Sequence, residues 1–273
     1  LNSKRAYSYS RAASIAFRDE PAGNYSYGTR QTAEAATAAS TYAAYRHILE
    51  TAVIEATYVS ADPDPKVEEM LRKGFADVER QPRPVEYISK SPLKSQPETA
   101  SEEFDVRQCQ MFMVMKTPFA DPYALKLFSV ILGETATSKL FRNVREKLSL
   151  CYYCSCSASF TKGALIIDSG VERRNIEKAK DEILAQLDEM CKGNITDEEI
   201  NGSLRYIENA LCQVGDTMAS YSGWYFERLC EGEVITPQEL FSRYSSVTRE
   251  SLVEAAKSLK LDSVYLMLDK EEK

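Results

Sequence analysis

Two clusters in this sequence have residue types and spacings suited to chemistry. The first is Cys-Tyr-Tyr-Cys-Ser-Cys over residues 151–156, three thiols within six residues. Such a run suits a metal clamp, a redox pair, or a buried strand that uses cysteine as a small apolar filler. The second pairs Arg145, near the end of SKLFRNVREKLSL, with Tyr152, seven residues later. Leu140, Phe141, Val144 and Leu148 mark the buried stripe of a helix there, with Arg145 at the stripe's edge. A helix end and a strand start can then deliver a guanidinium and a phenol to one spot. The plainer alternative is an arginine whose stem lies along apolar surface beside an ordinary strand tyrosine.

Strand geometry constrains the thiols. Side chains alternate along a strand, so Cys151 and Tyr153 should face one way and Tyr152, Cys154 and Cys156 the other. On that geometry the three thiols do not converge. A structural zinc takes about four ligands, and no second cysteine pair or histidine is spaced to complete such a set. Cys151-x-x-Cys154 also opens a strand and not a helix, which removes the helix-terminus effect that activates a thiol. The expectation is core filler, with Cys154 and Cys156 buried on one face and reduced. His47, the single histidine of the chain, lies in YRHILE and cannot build a zinc site alone.

The elements that would position these residues follow from pattern. Residues 33–50 are alanine-rich with Tyr42, Tyr45 and Leu49 at helical spacing, residues 52–60 alternate as a strand, and residues 65–78 form a second amphipathic helix. Residues 81–105 carry four prolines by position 103 and no apolar period, the character of a linker. Beyond it come a strand at 107–117, helices at 120–132 and 138–148, and strands at 150–160 and 163–172 joined by a short turn. A long helix carries Ile176, Ala179, Ile183, Leu187 and Met190, and capping boxes stand at Thr196/Glu199 and Thr236/Glu239. A helix near 249–259 and the strand SVYLMLD close the chain. Strands and helices mix without strict alternation, so the second half reads as α+β, an antiparallel sheet with helices packed on one face.

Composition bounds the function. The 273 residues are 44% hydrophobic, enough for two ordinary cores, and the net charge of -7 leaves no cationic surplus for a phosphate backbone, which argues against nucleic acid. No apolar run approaches about eighteen residues, and the N-terminus lacks the apolar middle of a secretory signal. Seven cysteines, an odd and scattered set, fit a reducing compartment, so the expectation is a soluble, cytoplasmic protein without a membrane segment. The first residue is Leu1, which suggests a fragment or a processed product. There is no Gly-x-x-x-x-Gly-Lys phosphate loop and no Gly-x-Ser-x-Gly elbow, and one histidine leaves little room for a Ser-His or Cys-His nucleophile.

The run ILGETATSKLFRNVREKLSLCYY, followed by GALIIDSGVERRNIEKAKDEILAQL and ITDEEINGSLRYIENAL, resembles the C-terminal domain of the insulinase/pitrilysin-like zinc metallopeptidases, the family that includes the mitochondrial processing peptidase. The matching hallmarks are Ser138 to Phe141, Arg145 to Lys147, and Leu150 to Tyr152. FRDEPAGNYSYGT and the residues after it look like the back part of the preceding family domain. The resemblance implies paired α+β domains of the LuxS/processing-peptidase type forming half of a clamshell. Residues 1–80 would be the back part of one domain, 81–105 a linker, and 106–273 the C-terminal domain. In active members a His-x-x-Glu-His zinc motif lies in the N-terminal half, while an Arg and a Tyr of the C-terminal half hold the substrate or the developing oxyanion. Carried over, these are Arg145 and Tyr152, with the peptide lying extended against a sheet edge.

The zinc motif is absent from this sequence. The resemblance therefore implies no cofactor in this chain, no stoichiometric zinc and no peptide cleavage by it alone. On that resemblance zinc is expected in a missing half or in a paralogous partner subunit of a heterodimer. The leading expectation is a substrate-clamping, zinc-free portion of an insulinase-like metallopeptidase that takes part in peptide binding and hydrolysis. The alternative is a non-catalytic scaffold or interaction subunit of the same fold.

Overall fold

Every residue of Cys109–Lys116 is buried, and a strand covered on both faces needs the near-continuous apolar run found there. In the computed structural model, which describes residues 3–270 apart from 63, 77 and 87, this strand is the centre of a five-stranded sheet. The strands are β1 (Glu98–Phe104), β2 (Cys109–Lys116), β3 (Cys151–Ser159), β4 (Ala164–Val171) and β5 (Lys260–Asp269), in the order β1-β5-β2-β4-β3. All pairs are antiparallel except β1 with β5, which is parallel. The α+β class expected from the sequence is the class found.

β1 lies inside the stretch 81–105 that composition reads as linker. Its inward positions include Glu102, which masks the strand pattern. That carboxylate accepts hydrogen bonds from Tyr7 Oη (2.7 Å), Arg11 Nε (2.8 Å) and Tyr265 Oη (3.0 Å), so a charged residue takes a position where pattern reading expects an apolar one.

One sheet face carries Met111, Met113 and Met115 of β2 beside Ser169, Ile167 and Leu165 of β4. Helix α5 (Pro122–Ser129), started by Asp121 accepting from the amides of Tyr123 and Ala124, packs there against β3. The reverse face carries Phe112, Val114, Ala164, Ile166, Tyr265 and Met267, covered by Ala12, Ile15, Ala16 and Phe17. All but Phe17 of that cover belong to α1 (Lys4–Ala16), which Ser3 caps through the Ala6 amide. So helices lie on both faces, where the sequence led us to expect one. The buried stripe of α1 is Ser8, Ala12, Ile15 and Ala16; the spacing is helical, but with one large apolar residue its signal is faint.

Helices α6 (Ile176–Cys191), α7 (Asp197–Cys212), α9 (Pro237–Ser245) and α10 (Arg249–Ser258) follow their predicted starts closely. Both capping boxes are closed, with Glu199 and Glu239 accepting from the amides of Thr196 (2.8 Å) and Thr236 (2.7 Å). α10 packs against α5 and α6. No helix among the described residues is long and apolar enough to cross a membrane.

At the sheet's end a charge pair is buried. Lys116 Nζ donates to the carbonyls of Ala16 and Pro92, both at 2.7 Å, and lies 3.2 Å from Asp262 Oδ1. Lys116 is 4% and Asp262 0% exposed. Asp262 Oδ1 also accepts from the Lys94 amide at 3.0 Å.

The β3–β4 hairpin turns at Gly163, where φ is +59° and an added Cβ would strike the Thr117 carbonyl oxygen. Positive φ and the close approach both demand glycine. Gly163→Ala should cost about 1–3 kcal/mol, read as a lowered urea midpoint. An unchanged midpoint would mean that the turn relaxes freely.

The chain separates into two compact units, one of residues 1–26, 88–209 and 240–273, described above, and a second of residues 27–87 and 210–239. The second holds α2 (Arg30–Ala35), α3 (Ala38–Thr51), α4 (Pro65–Gly74) and α8 (Met218–Cys230). The single helix expected over 33–50 breaks at Ala36, because Thr37 caps a new helix through Ser40. Residues 52–60, expected as a strand, form no ladder. An alternating segment becomes a strand only when an edge pairs with it, and Val53, Ile54 and Tyr58 are exposed, as are Tyr42, Tyr45 and Ile48 of α3. Trp224 is buried in this unit and its indole donates to the Ile235 carbonyl at 3.0 Å.

Candidate functional site

Arg145 is carried by Leu140–Lys147, which winds with π-helical i→i+5 hydrogen bonds. The longer turn breaks the ordinary helical phase. Leu140 and Val144 stay buried while Leu148, expected in the same stripe, is 44% exposed. Two contacts set the segment in place: Lys139 Nζ lies 2.9 Å from Glu199 Oε1, and Asn143 Nδ2 donates to Gln186 Oε1 of α6 at 2.6 Å. Ser149, at φ +50°, then turns the chain into β3.

That turn brings Arg145 and Tyr152 together. Both line an open cavity of about 320 Å³ with Ser149, Cys151, Glu172 and Asn175 among its walls. The Arg145 guanidinium stacks 4.5 Å from the Phe141 ring centre and, among the described residues, forms no ion pair. Tyr152 is 58% exposed, and its hydroxyl donates to Glu172 Oε1 at 3.2 Å. Glu172 Oε2 in turn accepts from Arg174 Nε at 2.7 Å. The cavity thus presents a guanidinium that forms no ion pair among the described residues and a phenol, groups able to donate to a peptide carbonyl or another anionic oxygen.

Sequence reasoning missed Glu172 and Asn175. Glu172 directly follows β4, so the β3–β4 register would have placed it near Tyr152 had the register been known. It was not, because β3 carries a bulge. Cys151 pairs with Val171 while Tyr153 already pairs with Gly170, leaving Tyr152 as the extra residue. One inserted residue inverts the facing of everything before it. The expectation that Cys151 faces away from Cys154 and Cys156 is therefore corrected: all three point to one face, opposite Val171, Ser169 and Ile167, and all three are buried free thiols. The burial of Cys154 and Cys156 on one face is as expected.

A family model described as the peptidase M16 inactive domain matches residues 36–206, more than half of the chain. The chain belongs to the M16 peptidase family. It is 27% identical over 269 residues to the Bacillus subtilis (strain 168) protein named probable inactive metalloprotease YmfF, a match covering 97% of this chain and 63% of that protein. A conserved protein from Enterococcus faecalis V583 shares the fold with a TM-score of 0.85 at 23% identity, over 100% of this chain and 65% of that one. The peptidase M16 inactive domain from Pseudomonas fluorescens does so with a TM-score of 0.78 at 16% identity, over 98% and 66%. The chain therefore spans under two thirds of the length of the Bacillus subtilis and Enterococcus faecalis proteins. The zinc of active M16 members does not fit the residues present. His47 is exposed on α3, and no group of three or more His, Cys, Asp or Glu among the described residues is placed to hold a metal ion.

Proposed function

We propose that this chain is the non-catalytic, substrate-clamping portion of an M16 assembly whose zinc-bearing half, in the same polypeptide or in a paralogous subunit, performs the hydrolysis. The observation that carries the reading is the shared cavity in which Arg145, without an ion pair among the described residues, stands beside the exposed phenol of Tyr152. An extended peptide presents a carbonyl every residue, and a guanidinium with a phenol grips such oxygens without regard to side chains. A carbonyl arriving at Tyr152 competes with Glu172 for the phenolic proton.

Of residues 1–80, expected as the back part of a preceding peptidase-like domain, residues 27–80 lie in the second unit and support that reading. The unpaired extended segment 52–60 and the exposed Tyr42, Tyr45, Ile48, Met70 and Leu71 are what a domain leaves uncovered when the rest of its sheet lies elsewhere. The free thiols suit a cytoplasmic setting.

The test is photocrosslinking in the assembly purified with its zinc-bearing half. An unstructured peptide carrying a benzophenone side chain should label residues 145–152, and excess unlabelled peptide should suppress that labelling. Labelling confined to other surfaces would remove the clamp reading and leave a scaffold of the same fold.

A further inference from the structure

We propose that the cavity at Arg145 and Tyr152 is a carboxylate subsite, which takes an acidic side chain or the C-terminal carboxylate of the bound peptide. The proposal rests on the clamp reading for the peptide itself and adds the chemistry by which that peptide is chosen.

Backbone contacts build the site in advance of any ligand. The Leu150 amide donates to the Val144 carbonyl at 3.1 Å, which ties the entry to β3 to the winding that carries Arg145. Ser149, at φ +50°, turns the chain between them. Beyond β4, the Asn175 amide donates to the Glu172 carbonyl at 2.8 Å and closes the turn that supplies those two lining residues. Tyr152 is the extra residue of the β3 bulge, between the pairs Cys151–Val171 and Tyr153–Gly170. A bulge re-aims a side chain out of strand alternation, and here the phenol lines the cavity.

The walls select an anion, and a singly charged one. Arg145 commits none of its planar fork of N–H donors to an ion pair or hydrogen bond among the described residues; its contact is the Phe141 ring, 4.5 Å away. The Ser149 and Tyr152 hydroxyls and the Asn175 carboxamide add neutral donors to the same walls. A peptide carbonyl offers such a set one oxygen without charge. A carboxylate offers two, matches the guanidinium fork, and forms the stronger, charge-assisted bonds. Glu172 is the one acid among the lining residues, and it is already engaged by Arg174 Nε at 2.7 Å and by the Tyr152 hydroxyl at 3.2 Å. Arg145 and Arg174 against Glu172 leave a positive surplus, in a chain whose net charge is -7. Glu172 also sets an upper limit on ligand charge, because it repels a doubly charged phosphate more than a singly charged carboxylate.

The test titrates the whole chain with short peptides that carry an uncharged fluorophore at the N-terminus, read by anisotropy at low salt. One peptide is neutral and ends in an amide; its twin ends in a free carboxylate; a third ends in an amide but has a central glutamine replaced by glutamate. At least one acidic peptide should bind about tenfold more tightly than the neutral one, and which of them gains tells whether a chain end or a side chain is held. The gain should vanish in Arg145→Ala, shrink in Tyr152→Phe, grow in Glu172→Gln, and fall with added salt. Equal affinity for all three peptides would overturn the proposal, and this wild-type comparison needs no variant to fold. So would a gain that survives Arg145→Ala, or displacement by inorganic phosphate at lower concentration than by propionate at matched ionic strength. Photocrosslinking separates the two readings. Equal affinities with labelling at residues 145–152 would end the carboxylate subsite and leave the clamp standing. A gain lost in Arg145→Ala, with labelling confined to other surfaces, would uphold the subsite and remove the clamp.

Discussion

Replacing Lys116 with methionine should destabilise the protein by about 3–5 kcal/mol, the usual cost of removing one partner from a buried ion pair. Lys116 uses its three donors on the Ala16 and Pro92 carbonyls and on Asp262. Without it, Asp262 remains fully buried with the Lys94 amide at 3.0 Å and the Lys94 ammonium 3.7 Å away. Two carbonyls also lose their donor, and burying unsatisfied acceptors adds to the cost. The pair also joins parts distant in sequence: the end of α1, the segment before β1, and the bulged start of β5 opposite Val114 and Met115. The loss should therefore appear as weaker attachment of α1, seen as faster hydrogen exchange over residues 4–17, together with a lower urea midpoint. The double variant Lys116→Met/Asp262→Leu should recover part of the loss, since an apolar pair leaves no stranded charge. A single variant as stable as wild type would show that water reaches Asp262 and that the pair contributes little.

In the proposed assembly with a zinc-bearing half, Arg145→Ala or Tyr152→Phe should lower peptide turnover by on the order of 10²–10³, the typical cost of losing one donor to a developing oxyanion. Neither change should affect folding, because both side-chain heads face the open cavity and neither completes the core. Arg145→Ala removes charge and the stacking on Phe141, whereas Tyr152→Phe removes a hydroxyl alone, so the second is the sharper probe. Loss confined to kcat would place the donor in the transition state, and loss confined to KM would place it in ground-state binding. Wild-type turnover in both variants would leave the fold as scaffold.

Much of the architecture was legible in residue pattern. The apolar run at 109–116, the hairpin around Gly163, the helix from Ile176 and the two threonine–glutamate capping boxes all carry local signals, because their periodicity and end chemistry are properties of neighbouring residues. The segment 138–152 likewise carried the family resemblance, and with it the pairing of Arg145 and Tyr152. Other features depended on partners far away in sequence. β1 is a strand because β5 pairs with it and because Tyr7, Arg11 and Tyr265 satisfy Glu102. Residues 52–60 have the pattern of a strand but no edge among the described residues to pair with. Local pattern and motif were enough for the family, the α+β class and the two residues that meet in the cavity. Which way the thiols point and what surrounds Arg145 depended on the packed fold. A one-residue bulge and an i→i+5 winding alter the phase of side chains without changing composition, and such phase is set by the packing of strand on strand and helix on sheet.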